Sequence, residues 1–188
     1  MTKKITRVRY KLNPCKEPLS QDEINKIIRA ADDLIFAGGR TLLAKVLKGS
    51  KEKRILELGL DKNPSYGAFK DDTIETITSK IDWMIENIYL DIEYDYRLPL
   101  IVFRDRGLDI AKNLISDEYL EKIKDAIRKN DYQLAISFKD KNRKMIFLLL
   151  EKIRKTGDSK FVPFLEFWKE HDYKKVRQRI DSVINDLM

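Results

Sequence analysis

Cys15 is the only cysteine of the 188-residue chain and His171 its only histidine, so the side chains that most often carry nucleophilic or metal chemistry are nearly absent. A structural zinc site takes four Cys or His ligands, which this chain cannot assemble by itself. A Ser-His-Asp or Cys-His pairing would have to use His171, and its Lys169-Glu170-His171-Asp172 setting reads as a solvated helix end. Cys15 reads as an incidental reduced thiol. The pairs Asp32-Asp33 and Asp71-Asp72 suit helix surfaces and caps better than a metal. No GxxxxGK[ST] phosphate loop is present: Gly38-Gly39-Arg40-Thr41 is the nearest glycine cluster and lacks the spacing and the lysine. The inventory points away from an autonomous enzyme. No catalytic residue, metal or cofactor is expected.

Charge is where the chain becomes specific. It carries 38 Lys+Arg against 31 Asp+Glu, a net +7. Residues 1–60 hold 14 basic and 7 acidic residues and the remaining 128 hold 24 of each, so the whole excess lies in the first third. A segregated positive field suits a polyanion, either nucleic acid or an acidic membrane surface. The length allows one or two domains with a proper core, and 43% hydrophobic with 37% charged residues and only 7 Gly and 5 Pro is a helix-rich profile. The longest apolar run, Met145 to Leu150, is far too short to span a membrane, and no apolar block follows the basic N-terminus. The expectation is a cytoplasmic protein, nucleoid-associated in a prokaryote, with no membrane partner.

The elements that would position the basic residues can be read from periodicity. Residues 1–20 form a basic arm in which Thr6 to Leu12 alternates as a strand or extended segment would. Ser20-Gln21-Asp22-Glu23 fits a capping box, followed by the helical stripe Ile24, Ile27, Ile28, Ala31, Leu34 and Ile35. A second helix runs from about Arg40 to Lys48 and stops at Gly49-Ser50. A connection runs on through Gly59, Pro64 and Gly67. A third helix opens at Asp72-Thr73-Ile74-Glu75, with Ile74, Ile77, Ile81, Met84, Ile85 and Ile88 on one face. Leu90, Ile92 and Tyr94, then Leu98, Leu100 and Val102, alternate as two strands around an Asp95-Tyr96-Arg97 turn, with Pro99 suited to an edge. Three helices and a hairpin is the order of a winged helix. From Leu108 the pattern is helical, with segments at 108–114, 117–129, 131–138, 141–155, 159–170 and 173–187. The last two resemble a HEAT-type hairpin.

One constellation is more specific than the rest. Gly39-Arg40-Thr41-Leu42-Leu43-Ala44-Lys45-Val46-Leu47-Lys48-Gly49-Ser50-Lys51-Glu52-Lys53-Arg54 continues into Leu58-Gly59-Leu60-Asp61-Lys62, then Ser65-Tyr66-Gly67 and Lys70-Asp71. This run resembles the RQC domain, the winged helix that comes after the motor and zinc subdomains of RecQ-family DNA helicases. The resemblance covers roughly residues 21–116. Neither the motor nor the four zinc-subdomain cysteines are in the sequence, so the expectation is a free-standing RQC-type DNA-binding protein, with helicase activity not carried over.

The resemblance implies a set of nucleic-acid-binding residues. Arg40 and Thr41 would meet a phosphate at the start of the second helix, where backbone N–H groups and the helix dipole favour an anion. Lys45, Ser50, Lys51, Lys53 and Arg54 would extend that grip along the helix and its following turn, with Tyr66 and Lys70 on the far side of the loop. At the hairpin tip, Tyr96, with Tyr94, Arg97 and Leu98 beside it, would stack on an exposed base pair as a strand-separating wedge. The bland alternatives are a solvated loop, a Tyr66 that plugs the domain while its hydroxyl takes a backbone partner, and a tip that packs on the arm or tail. Asp91, Glu93 and Asp95 weigh against the wedge by repelling phosphate.

The resulting expectation is a mainly α protein with a β-hairpin wing. A basic arm at 1–20 precedes a winged helix at 21–116 and a small α-helical, HEAT-like domain at 117–188. Its partner would be duplex, forked or branched DNA, with a possible protein partner for the helical tail. The rival readings are a protein-interaction adaptor for a helicase or other nucleic-acid enzyme, an RNA or ribosome binder, and a sequence-specific regulator. The regulator is the weakest, because Thr73 to Lys80 is poor in Arg, Asn and Gln. Trp83, Trp168 and the Phe161, Phe164, Leu165, Phe167 set read as core rather than a partner groove.

Overall fold

A computed structural model describes residues 11–188 and divides after Ala111 into two compact units. The alternating segment expected over Thr6 to Leu12 lies largely outside the described residues. The stretch from Asn13 to Ser20 is irregular and tied down: the Asn13 N–H donates to Asp82 Oδ2 at 2.7 Å and the Cys15 N–H to the Ser79 carbonyl at 3.2 Å.

The first unit is a winged helix. Helix α1 (Gln21–Asp32) opens on the expected capping box between Ser20 and Glu23 and buries Ile24, Ile27, Ile28 and Ala31. Helix α2 (Arg40–Lys48) buries Leu43, Ala44, Val46 and Leu47 and packs against α1. The connection beyond it holds a short helix, α3 (Lys53–Glu57), and a 3-10 turn at Leu60–Lys62 that periodicity did not signal, because five residues are too few to show a stripe. Helix α4 (Ile74–Glu86), capped by Thr73, packs against α2. Strands β1 (Leu90–Asp95) and β2 (Leu98–Phe103) pair antiparallel, with Leu90 opposite Phe103 and Asp95 opposite Leu98, so the turn is Tyr96-Arg97.

The wing is fastened to the loop before α2. The Ile101 N–H donates to the Gly38 carbonyl at 2.9 Å, which extends the ladder of β2 by one rung. Gly39 is required there: a Cβ at this position would lie 2.5 Å from the Pro99 carbonyl oxygen. Gly39→Ala is therefore expected to push the wing off its seat and to destabilise the fold by about 1–3 kcal/mol, the usual cost of overpacking. Urea unfolding checks this, and an unchanged midpoint would contradict it.

Helix α5 (Asp105–Lys129) is continuous where two helices were expected. In the structure Ser116 is fully buried, and its hydroxyl donates to the Asn113 carbonyl at 2.9 Å, so the serine bonds back into the helix. The unit boundary falls within α5. A 3-10 helix at Gln133–Asp140 takes the place of the α-helix expected over 131–138. Helices α6 (Arg143–Thr156), α7 (Val162–His171) and α8 (Lys174–Leu187) complete the chain. Helix α8 packs on α6 and α7 over a core of Phe138, Leu149, Leu150, Ile153, Phe164, Trp168 and Ile180. The Trp168 indole N–H donates to Asp172 Oδ2 at 2.8 Å, which satisfies it inside that core. Phe161, Phe164, Leu165 and Trp168 are buried, so no groove forms from them.

One ion cluster makes the first unit acid-sensitive. Lys80 Nζ lies 3.0 Å from Glu23 and 2.6 Å from Asp72, and 4.5 Å from the centre of the Phe69 ring. Burial works against a charged Glu23, but the Ser20 N–H, Lys80 and the Ser20 hydroxyl outweigh it and hold the carboxyl below its ordinary range. A depressed carboxyl contributes stability that is present above its unfolded value and lost as pH falls through the folded one. Stability should therefore decline as the pH drops below about 4, and Glu23→Gln should flatten that decline. Equal acid slopes for parent and variant in urea titrations would contradict it.

Candidate nucleic-acid interface

The motif glycines and tyrosine act as a clasp at the C-terminus of α2. Gly49 takes a left-handed φ of 80°, while the Ser50 N–H returns to the Lys45 carbonyl at 2.9 Å. The Gly67 and Phe69 N–H groups donate to the Val46 and Leu47 carbonyls, each at 2.9 Å. Gly49 and Gly67 touch back to back, and a Cβ on Gly49 would stand 3.1 Å from the Gly67 Cα. The Tyr66 hydroxyl donates to the Ser50 carbonyl at 3.1 Å. Tyr66 is thus half-buried and serves the clasp, the bland alternative weighed for it. Lys48 adds a stitch by donating to the Lys70 and Asp72 carbonyls.

The clasp fixes the turn that carries the cations. Lys51, Lys53, Arg54 and Lys70 are all exposed. Lys51 and Lys70 form no ion pair with a described residue. Lys53 meets only Glu57, at 3.5 Å, on its own short helix, and both side chains are largely in water. That pair leaves the local field nearly intact. Arg54 reaches back to the Ala37 carbonyl at 3.4 Å, just ahead of α2. This brings it to the end of the helix where Thr41 stands exposed and where no side chain caps the first turn.

Three expected contacts are engaged elsewhere. The Arg40 guanidinium is turned inward onto Asp82 Oδ1; its side chain is 17% exposed and that of Asp82 2%. The guanidinium is thus held by a buried carboxylate and not turned to solvent. Lys45 is paired with Glu52 at 2.6 Å. Ser50 accepts the Glu52 N–H at 3.4 Å on its hydroxyl, so its oxygen also holds the turn. Asp82 itself had no signal in the sequence beyond being an acidic residue on the otherwise apolar face of α4.

The hairpin presents its tip to solvent. Tyr96 occupies the first turn position with a left-handed φ of 53° and is 89% exposed; Leu98 is 65% exposed, and Arg97 is also exposed. Tyr94 is half-buried, opposite Pro99 on the same face as Leu90 and Ile101, so it belongs to the packing of the wing and not to its tip. Glu93 and Asp95 point to the other face, while Asp91 is paired with Arg104. The Trp83 ring stacks on Tyr89, with centroids 6.0 Å apart, away from the tip.

His171 stacks on Phe167 and its Nδ1 lies 2.8 Å from the Phe167 carbonyl. Among the described residues no three His, Cys, Asp or Glu side chains gather so as to hold a metal ion. No helix among them is long and apolar enough to cross a membrane.

A family model of the RQC domain matches residues 20–114. Among curated proteins, the ATP-dependent DNA helicase RecQ of Bacillus subtilis (strain 168) is 31% identical over 94 residues, which make up 50% of this chain and 16% of that protein. The chain therefore spans only a small part of that helicase's length. No solved structure matches the chain.

Proposed function

This chain belongs to the RQC domain family, and we propose that it is a DNA-binding protein, without catalysis of its own, that grips duplex DNA at ends, forks or branches. The observation that carries this reading is the clasped turn. It holds Lys51, Lys53 and Arg54 in water with a single weak carboxylate contact, beside the uncapped start of α2. Phosphates would be met by these three, by Lys70 and by Thr41. Such contacts position a protein on the duplex without reading sequence. The similarity to a stretch of a DNA helicase supports DNA as the polyanion. A cytoplasmic location accompanies this reading. The hairpin formed by α7 and α8 supports a HEAT-like reading of the tail.

Four cations on four phosphates give this face a contribution of about −4 to the slope of log affinity against log salt. Arg40→Gln should leave that contribution unchanged, while Lys51→Gln should lower it by about one. Equal losses of slope in the two variants would contradict the assignment. Fluorescence anisotropy over a salt series is the measurement.

Tyr96 is proposed as the wedge, with Leu98 beside it. Stacking on a base is worth about 1–3 kcal/mol, so Tyr96→Asn should weaken binding to a forked duplex by about tenfold. Binding to a blunt duplex interior should change little. Asparagine tolerates the left-handed backbone of this turn, so the fold is kept. A variant that binds fork and blunt duplex as the parent does would remove the wedge and leave the grip.

A further inference from the structure

The charges of the second unit are unevenly partnered. Lys124, Arg128, Lys152, Arg154, Lys169 and Arg179 each hold a carboxylate. Lys139, Arg143, Lys174 and Arg177 are among the exposed cations that form no ion pair with a described residue. Two of these four are held by a ring instead. Lys139 Nζ lies 5.0 Å from the centre of the Tyr173 ring, and the Arg143 guanidinium carbon lies 6.0 Å from it. Tyr173 precedes α8 and is 50% exposed. Lys174 is its neighbour in the chain, and Arg177 shares a shallow groove on α8 with Lys174, flanked by Glu170 and Asp181. Asp181 is held by Lys169 at 2.9 Å.

This arrangement differs in kind from an ion pair. A carboxylate fixes a cation and neutralises it; the face of an aromatic ring fixes a cation and leaves its charge. The end of the 3-10 helix and the start of α6 thus bring two cations to the ring of Tyr173, and the start of α8 adds Lys174 and Arg177 in a groove they share with Glu170 and Asp181. The placement does not favour helix stability. Both α6 and α8 open on basic residues with no acidic residue in the first turn, against the positive end of the helix dipole. A bound anion would relieve that repulsion.

We propose that this surface is a second nucleic-acid contact, in which Lys139 and Arg143 at the Tyr173 ring, with Lys174 and Arg177 on the first turns of α8, take the phosphate backbone of DNA. The inference rests on the reading of the chain as a DNA-binding protein, and it places on the helical tail a role that the RQC face does not need. The four exposed like charges suit a repeating polyanion better than a peptide with side-chain anchors.

The test uses the full chain and a labelled duplex of about 30 base pairs, long enough for non-specific backbone binding. The Lys139→Gln, Arg143→Gln, Lys174→Gln triple variant should reduce the salt slope by about 2.7, three contacts' worth, and weaken binding on the order of a hundredfold at low salt. Its circular dichroism and urea midpoint should match the parent. If the triple variant unfolds, the single Lys139→Gln and Lys174→Gln exchanges should each lower the slope by about 0.9. Tyr173→Ala should weaken binding several-fold with the slope nearly kept, and Tyr173→Phe should bind as the parent does. A folded charge variant with the parent's slope overturns the proposal while leaving the RQC grip in place. Failure of the unaltered chain to bind DNA overturns both. Displacement of the DNA by polyglutamate as readily as by unlabelled duplex would assign the surface to an acidic protein and overturn the nucleic-acid assignment.

Discussion

Replacing Asp82 with alanine should lower the stability of the winged helix by about 3–5 kcal/mol, the usual result of removing one partner from a buried ion pair. The Asp82 side chain is 2% exposed and takes donors from two directions: Arg40 on Oδ1 and the Asn13 N–H, at 2.7 Å, on Oδ2. Alanine would leave a guanidinium in a poorly solvated site and strand the backbone donor that ties the N-terminal segment to α4. Asp82→Asn keeps an acceptor for Asn13 and should cost less. A double exchange, Arg40→Met with Asp82→Leu, should recover most of the loss, since a buried pair stabilises little over an apolar one of similar volume. Urea denaturation measures all three. A loss below about 1 kcal/mol for Asp82→Ala would mean that Arg40 is well solvated, which would return it to the set of phosphate ligands.

The second large effect is on binding. Reversing three charges together, Lys51→Glu, Lys53→Glu and Arg54→Glu, should weaken duplex binding by at least two orders of magnitude at about 0.1 M salt. Three lost contacts reduce the slope by about 2.7, and repulsion from the new carboxylates adds to the loss. The fold should be unaffected, because these three side chains lie in water and the clasp beneath them is built from backbone groups and Tyr66. Tyr66→Phe makes a useful companion. It removes the hydroxyl that holds the Ser50 carbonyl and should loosen the turn, lowering affinity modestly without changing the slope. Anisotropy and a urea midpoint on each variant separate the two effects. A triple variant within threefold of the parent would contradict the grip.

Much of the first unit was legible because its signals are local. Ser20 and Glu23 announce a capping box that needs no tertiary partner. Gly49 announces a left-handed helix end, and the alternation from Leu90 to Val102 announces a hairpin, although the turn is one residue shorter than expected and the register places Leu98, Leu100 and Val102 opposite Asp95, Glu93 and Asp91. The family resemblance rested on the motif from Gly39 to Asp71, of which Gly49 is part. What sequence could not show is where long side chains turn. Arg40 stands at the first position of α2 as a phosphate ligand would, yet it folds onto a carboxylate 42 residues away. Tyr66 sits in a basic loop, yet its hydroxyl closes a turn 16 residues back. The break expected between residues 114 and 117 does not form, and the Ser116 hydroxyl there bonds back to the Asn113 carbonyl. The cations around Tyr173 escaped notice for a related reason. Counted by composition, the later part of the chain is neutral, and the ring that Lys139 and Arg143 share becomes visible only in the structure.

The measurement that bears most directly on the central claim is fluorescence anisotropy of the purified chain with forked, blunt-duplex and single-stranded DNA of matched sequence, over a salt series. Binding that favours the fork or duplex over the single strand, with a slope of about −4 or steeper, is the predicted result. Absence of binding at low salt, or binding with a slope near zero, would contradict a phosphate grip and turn the clasped basic turn into a docking surface for an acidic protein.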